Sequence, residues 1–598
     1  MGFSLRLPLF SISLWLRAFA EACARFPAAM VCAAAFTGAL IQLIALEVEN
    51  TDSTKLAMAA LLGLPLSIGF AALAERIGWE GWKNYALQSL GLLAAAVCFL
   101  LLYPKHPSWE GVQVPRYFLV LVAAHLWTSV SPFLSRRGVV ADFWEYNKRL
   151  LTHFVVGVVY AAILFLGLAL AIAAVNALFD LKWTGRVYGY LFAVVAGLFQ
   201  TTFFLYHFPK RMTFDDDEVG YPVLLKNLCQ YVFVPIVGLY FLILYAYSAK
   251  ILLEWNLPRG WVSSLVLGFS VAGIFTYLIS YRLPEFPVSR WVPLYQRFFW
   301  WVLAPMIVLL FIAISRRISD YGVTPERYFV AHTGVWLLVA CVYFLWSKAD
   351  DIRFIPVSLA LFIVPAIVGP FSAFEVSQRS QVGILKEILE KNQAFESSGL
   401  LKKNLSTLPD EDRERLRSIL YFLSEQGALE RISSWLSEPI ATIAPDSLFP
   451  FERTQRVLEH LGLERQGSYE TLYLTAEDPK QTPVSVSIAG FRTFYAINLV
   501  ASSPPETKTL LSVRLSSSGK EMVVRLNGAQ TVADTLEFGQ RLLQWETEGR
   551  KREGRMPDSL STLDWVRGPR TYRLFVHEVW MEDRTRRVQQ LKGALFVK

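Results

Sequence analysis

The sequence predicts an all-α polytopic membrane bundle of about eleven transmembrane helices, followed by a C-terminal soluble α+β domain. Composition is the first sign. Of 598 residues, 54% are hydrophobic and only 18% are charged, with mean hydropathy +0.37; soluble chains run about 45–50% apolar and about 25% charged. The second is where the charge sits. Residues 1–374 carry 27 Lys+Arg and 20 Asp+Glu, whereas residues 375–598 carry 31 and 30. The third is a series of apolar runs, most of them near the length of about 20 residues that spans a bilayer.

The N-terminal segment, residues 1–27, has Arg17, Glu21 and Arg25 at i, i+4 and i+8, on one face of an otherwise apolar helix. That pattern predicts an interfacial amphipathic helix rather than a cleaved leader. The membrane domain, residues 28–374, is read as eleven spans. They are Ala28–Leu46, Leu56–Ala74, Ala86–Tyr103, Pro115–Leu134, His153–Phe179, Arg186–Phe208, Val223–Ser248, Gly260–Tyr281, Phe298–Ile314, Tyr328–Ser347 and Phe354–Ala373. Loops on the N-terminal side hold 17 Lys and Arg, against 10 on the other side. The bias places the N-terminus in the cytoplasm, and an odd number of spans then places the C-terminal domain in the periplasm.

Beyond the last span a helical connector, residues 375–465, is expected to hold helices over Ser380–Asn392, Pro409–Gln426 and Phe451–Leu461. Residues 466–598 alternate with period two over Glu470–Thr475, Val484–Ile488, Thr493–Val500, Thr509–Leu515 and Glu521–Leu526. A helix over Val532–Glu548 and a final hairpin, Tyr572–Met581 with Arg587–Val597, complete a small α+β domain.

Five stretches resemble a bacterial integral-membrane family known as domain of unknown function 4153. They are DFWEYNKRLL (Asp142–Leu151), the run Tyr221–Ile251 that opens YPVLLKNL, LPRGWVSSLVLGFSVAGI (Leu257–Ile274), RRISDYGVTPERYF (Arg316–Phe329) and GPFSAFEVSQRSQ (Gly369–Gln381). The resemblance is clearest from about Asp142 to the C-terminus. It implies an inner-membrane protein and carries no reaction, ligand or catalytic residue.

The spans are nearly free of ionisable groups, which argues against a proton-coupled carrier. His125 and His332 sit mid-span and read as interhelical hydrogen-bond partners before they read as ligands. Pro65, Pro132, Pro235, Pro305 and Pro365 interrupt spans, as kinks or as breaks lining a transport path. The acidic run Asp215–Glu218 has no cation-loop spacing, SSSGK (Ser516–Lys520) lacks the first glycine of a phosphate loop, and His577–Glu578 opens no zinc motif. The five cysteines, Cys23, Cys32, Cys98, Cys229 and Cys341, match no metal or redox spacing. No cofactor, metal or nucleic-acid partner is expected.

An internal repeat relates Val234–Val262 to Ala304–Phe329. In both, a proline-containing span ends in a basic residue and isoleucine, and an acid–aromatic pair, a proline and a further aromatic come next. Parallel copies put both loops on one face, with Glu254, Trp255 and Trp261 matching Asp320, Tyr321 and Tyr328, and with Arg259 and Arg327 in the same loops. These eight residues are the candidate docking surface for the C-terminal domain, with Arg259 and Arg327 available to acids of its first helices, of which Glu387 and Glu390 are the nearest in sequence. The expected function is that of a non-enzymatic envelope protein whose C-terminal domain binds a partner or senses a signal. The alternative is a transporter or lipid-handling protein.

Overall fold

The computed structural model describes residues 12–46, 51–103, 109–134, 140–181, 183–214, 220–254, 262–346, 351–402, 404–405, 408–463, 471–476, 493–500, 506–508, 511–516, 520–526, 532–551, 555–556, 562–567, 570–582 and 587–597. It divides into two compact units, residues 1–463 and 464–598.

Among the described residues, the first unit is built of helices, apart from an isolated bridge between Phe395 and Leu401. Helix α1 (Ile12–Arg25) precedes α2 (Pro27–Leu46), α3 (Thr51–Arg76), α4 (Trp82–Leu101) and α5 (Val114–Val130). Then come α6 (Val140–Phe179), α7 (Arg186–Val194) and α8 (Gln200–Tyr206). Helices α9 (Val223–Leu228), α10 (Val234–Glu254), α11 (Val262–Ser280), α12 (Trp291–Tyr321), α13 (Pro325–Trp346) and α14 (Phe354–Ile367) complete the bundle. Single π turns, Val195–Phe199 and Cys229–Phe233, join α7 to α8 and α9 to α10 into continuous rods.

Nine described helices are long and apolar enough to cross a membrane. The other two expected spans fall on shorter helices, the 17-residue α5 and the 14-residue α14. Phe354–Ala373 is shorter than expected because Gly369, at φ +84°, turns the chain after α14. Conversely, α6 runs 40 residues, about 60 Å at 1.5 Å per residue, so its first turns lie outside a bilayer core of about 30 Å.

The bundle's two ends can be told apart from its cross-links. Arg25 pairs with Glu75 at 2.7 Å, placing α1 at the C-terminal end of α3. Tyr117 OH donates to Met58 O and Thr128 Oγ1 to Pro65 O, so α5 runs parallel to α3 and starts at the end opposite α1. Three longer helices succeed the bundle: α15 (Ala373–Lys391), α16 (Asp410–Glu425) and, after the short α17 (Ile440–Ile443), α18 (Pro450–His460). Their apolar faces close a core of their own around Leu389, Leu416, Leu423, Leu429 and Val457.

The second unit holds two sheets and helix α19 (Arg541–Lys551). Strands β1 (Thr471–Ala476), β2 (Thr493–Val500), β7 (Arg555–Met556), β8 (Thr562–Arg567), β9 (Arg570–Glu582) and β10 (Arg587–Val597) form one sheet. Its path is β2-β10-β9-β1-β7, and β8 also pairs with β9. Strands β3 (Glu506–Lys508), β4 (Leu511–Leu515), β5 (Glu521–Leu526) and β6 (Val532–Glu537) form an antiparallel second sheet. The long β9 shares one edge between β8 and β1, while β10 covers the other. Bulges shift the β10 register, and a Cβ at Gly593 would strike the Phe575 carbonyl.

The expected helix over Val532–Glu548 is corrected by the structure. Its first part is β6, and the helix begins only at Arg541. VADTLE alternates and pairs residue by residue with β5, and Gly539, at φ +50°, breaks the chain before α19. The expected strand Val484–Ile488 lies outside the described residues. Inner residues of both sheets and Leu542 and Trp545 of α19 form one apolar cluster. A fragment of residues 464–598 should therefore melt cooperatively. Trp545→Ala should cost it about 3–5 kcal/mol, read by urea titration; an unchanged midpoint would contradict the shared core.

Candidate functional site

The bundle end remote from α1 is formed by the α12–α13 turn, the segment before α5 and the start of α15. Helix α12 stops where Gly322 takes φ +74°. The last carbonyls of any helix lack intrahelical donors, and in this turn other elements supply them. Arg327 Nη1 donates to Tyr321 O at 3.2 Å and to Gly322 O at 2.8 Å, with its guanidinium over the Tyr321 ring. Gln381 Nε2, on α15, donates to Tyr321 O at 3.2 Å and Val323 O at 3.1 Å. Val323 N donates to Ser380 Oγ at 2.9 Å, and Arg415 Nη2, on α16, donates to Asp320 O at 3.0 Å.

Four of the eight candidate residues, Asp320, Tyr321, Arg327 and Tyr328, therefore lie where α15 and α16 meet the bundle. Tyr328 OH donates to Phe371 O at 2.6 Å, and its ring stacks on His332. Glu254 ends α10 beside Lys250, 3.8 Å away. Trp255, Arg259 and Trp261 lie outside the described residues.

Arg327 does not face Glu387 or Glu390, as expected from charge. It binds the helix-end carbonyls, and Glu390 pairs with Lys386 at 3.6 Å. The unsatisfied carbonyls lie on Arg327's own turn, within reach of its fork.

Sequence reasoning missed several contacts. Arg431 grips Glu375 through two bonds of 2.7 and 2.8 Å and Gln378 at 2.9 Å. Arg116, at the start of α5, lies over the buried Phe374 ring. Gln426 Nε2 donates to Gly111 O at 3.1 Å. Burial, and secondarily Glu110, push the Glu425 carboxyl above its usual range. Asn392 and Lys391 bond the Asp412 carboxylate and hold it below that range. A signal existed for the main contact: Ser380 and Gln381 belong to GPFSAFEVSQRSQ, and Tyr321 and Val323 to RRISDYGVTPERYF.

The DFWEYNKRLL stretch works at the other end. Asp142 Oδ1 accepts Phe214 N at 3.0 Å, Trp144 Nε1 donates to Leu278 O at 2.8 Å, and Tyr146 OH donates to Thr128 O at 3.0 Å. Glu145, 1% exposed, is shared by Lys148 at 2.6 Å and Arg149 at 2.8 Å, and Lys148 also donates to Gly220 O. An unpaired carboxylate so deeply buried would be costly. These side chains tie the first spans to α11. His332 Nε2 lies 2.8 Å from Phe362 O of α14, the interhelical bond expected, whereas His125 Nδ1 lies 2.8 Å from Leu121 O of its own helix. Gln200 Nε2 donates to Phe154 O and Gln230 Oε1 accepts Ser289 N. Among the described residues, no group of three or more His, Cys, Asp or Glu could hold a metal ion.

Spans of this number and length, tied end to end by side chains, define a multi-pass helical membrane protein with a C-terminal α+β domain. Within that class the chain belongs to the family "Domain of unknown function (DUF4153)", whose model matches residues 56–382. The match begins earlier than the stretches that carried the resemblance and stops within α15, leaving the rest of the chain outside it. The chain is also 24% identical over 244 residues to the uncharacterized protein PM1469 of Pasteurella multocida (strain Pm70), covering 40% of this chain and 41% of that protein. The alignment thus spans about two fifths of that relative. No solved structure matches the chain significantly.

The tight α12–α13 turn gives a test. A Cβ at position 322 would meet Ile384 of α15, and positive φ adds about 1–2 kcal/mol of strain for a non-glycine residue. Gly322→Val should raise amide exchange over residues 373–391 by about tenfold. Unchanged exchange would show that α15 does not depend on this turn.

Proposed function

We propose that this protein is a non-enzymatic envelope protein of the bacterial inner membrane, whose chain beyond the last span lies in the periplasm and binds a partner or senses a signal there. The observation that carries the reading is the fastening of α15 and α16 to the bundle end remote from α1. Eleven crossings, counting the short α5 and α14, put a helix starting beside α1 and one leaving α14 on opposite faces. The basic bias of the α1 side favours the cytoplasm for that side. The dry spans and the large α+β addition fit a binding or sensing role better than coupled transport.

On this reading the helical connector transmits between membrane and periplasmic parts, and the candidate loops are its seat. Exposed aromatics on the connector, Tyr421, Phe449 and Phe451, are the surface on which an envelope partner would be sought. A second reading, a transporter or lipid-handling protein, draws on Pro65, Pro305 and Pro365 inside helices and on the π turns within two spans.

Single cysteines at the exposed positions Glu80 and Ser398, in a background lacking the five native ones, test the reading. In intact spheroplasts an impermeant thiol reagent should label Ser398→Cys and spare Glu80→Cys. The opposite pattern would invert the orientation and remove the periplasmic role. A photo-crosslinker at Phe449 should then give a discrete adduct with one envelope protein. Absence of any adduct from positions 421, 449 and 451 would favour the second reading.

A further inference from the structure

His125 and His332 each have a partner, but His153 differs. Its Nδ1 is buried with no hydrogen-bond partner among the described residues. The His153 ring stands 5.5 Å from that of His207, the residue closing α8. A carbonyl accepts, so Phe203 O, 2.9 Å from His207 Nδ1, fixes the proton there and leaves Nε2 as a hydrogen-bond acceptor. The nearby carboxylate of Glu145 is already taken by Lys148 and Arg149.

These rings sit at the boundary between rim and bilayer. Lys210, 75% exposed, comes three residues after His207 and lies 3.9 Å from Glu21 of α1. Arg17, one turn before Glu21, is also exposed. Farther along α6 the outward side chains are apolar and exposed: Val155, Val158, Val159, Ile163 and Leu166. Phe154 and Tyr160 close the seam with α8 edge-to-face on Phe204 and Phe203. Above, the surface carries the cations Lys210 and Arg17 and the unpaired His153 nitrogen; below, it is apolar. That is the complement of a phospholipid carrying net negative charge.

We infer that the corner formed by α1, α6 and α8 binds one anionic phospholipid, its phosphate between His153 and Lys210, a headgroup hydroxyl donating to His207 Nε2 and its acyl chains along the outer face of α6. A phosphate oxygen supplies the partner that the buried imidazole nitrogen lacks, and leaving such a group unpaired is costly. Basic pockets between spans at the membrane boundary recognise acidic headgroups by this chemistry, and an amphipathic helix such as α1 already lies at headgroup depth. The inference needs only the multi-pass bundle and holds whichever face α1 occupies.

The full chain, delipidated in mild detergent, is titrated with dioleoyl-phosphatidylglycerol or dioleoyl-phosphatidylcholine and read by native mass spectrometry. One phosphatidylglycerol should be retained about tenfold more tightly than phosphatidylcholine. His153→Gln with His207→Gln should reduce that preference to about twofold or less, and Lys210→Gln should reduce it in part. His207→Gln alone, at an exposed ring, guards against misfolding: it should lower the preference with an unchanged melting temperature. Equal retention of the two lipids by the native chain would overturn the inference. So would full preference in the double variant, or complete displacement of the lipid by millimolar inorganic phosphate, which would mean a free-anion site.

Discussion

Inside a bilayer every backbone polar group must find its partner within the protein, and a helix leaves its last four carbonyls without one. A bundle of short-looped spans multiplies those orphan groups at its two ends. This protein answers with long donor side chains reaching across to backbone carbonyls at helix ends, in the loops beyond them and at a π turn. Arg25 donates to Phe208 O and Pro209 O, Arg76 to Met212 O and Arg353 to Phe133 O. Trp144 and Tyr221 donate to Leu278 O and Ile279 O at the end of α11, and Trp291 to Gln230 O in the π turn between α9 and α10. At the far end Arg327, Gln381 and Arg415 cover Asp320, Tyr321, Gly322 and Val323.

The same device therefore does two jobs. Beside α1 it joins spans to one another, with Asp142 to Arg149 as the most concentrated case. At the other end it joins the spans to the connector helices α15 and α16. Apolar packing alone discriminates weakly between positions of a helix in lipid. A donor aimed at a particular carbonyl fixes register, so α15 and α16 are seated by geometry more than by area. The ion pair of Arg431 with Glu375, both about one-third exposed, adds little by itself but orients the start of α15.

The helices were legible because apolar length and period survive in a single sequence, as from Pro27–Leu46 to Pro325–Trp346. Hairpin strands were legible where period two is uninterrupted, as in β2, β5 and β10. Val532–Glu537 misled because its residues suit either helix or strand, and pairing with β5 decides. The candidate loops were placed from aromatic and acidic side chains, yet most of the observed bonds at the α12–α13 turn go to its backbone carbonyls. Sequence reveals donors such as Arg327 but not which carbonyl is left over, hence the mistaken pairing with Glu387 and Glu390. His153 escaped notice as a mere first residue of a span, since an unpaired nitrogen leaves no trace in sequence.

Seating of α15 on the α12–α13 turn is the point on which this account stands. Val323 N and Ser380 Oγ lie 2.9 Å apart, so cysteines at the two positions, in a chain without native cysteines, fall within disulfide reach. Mild oxidation of native membranes should close the Val323→Cys, Ser380→Cys pair almost completely, seen as a reductant-sensitive mobility shift after cleavage between the two positions. A pair that stays open, although each single cysteine reacts with a small thiol reagent, would contradict the account.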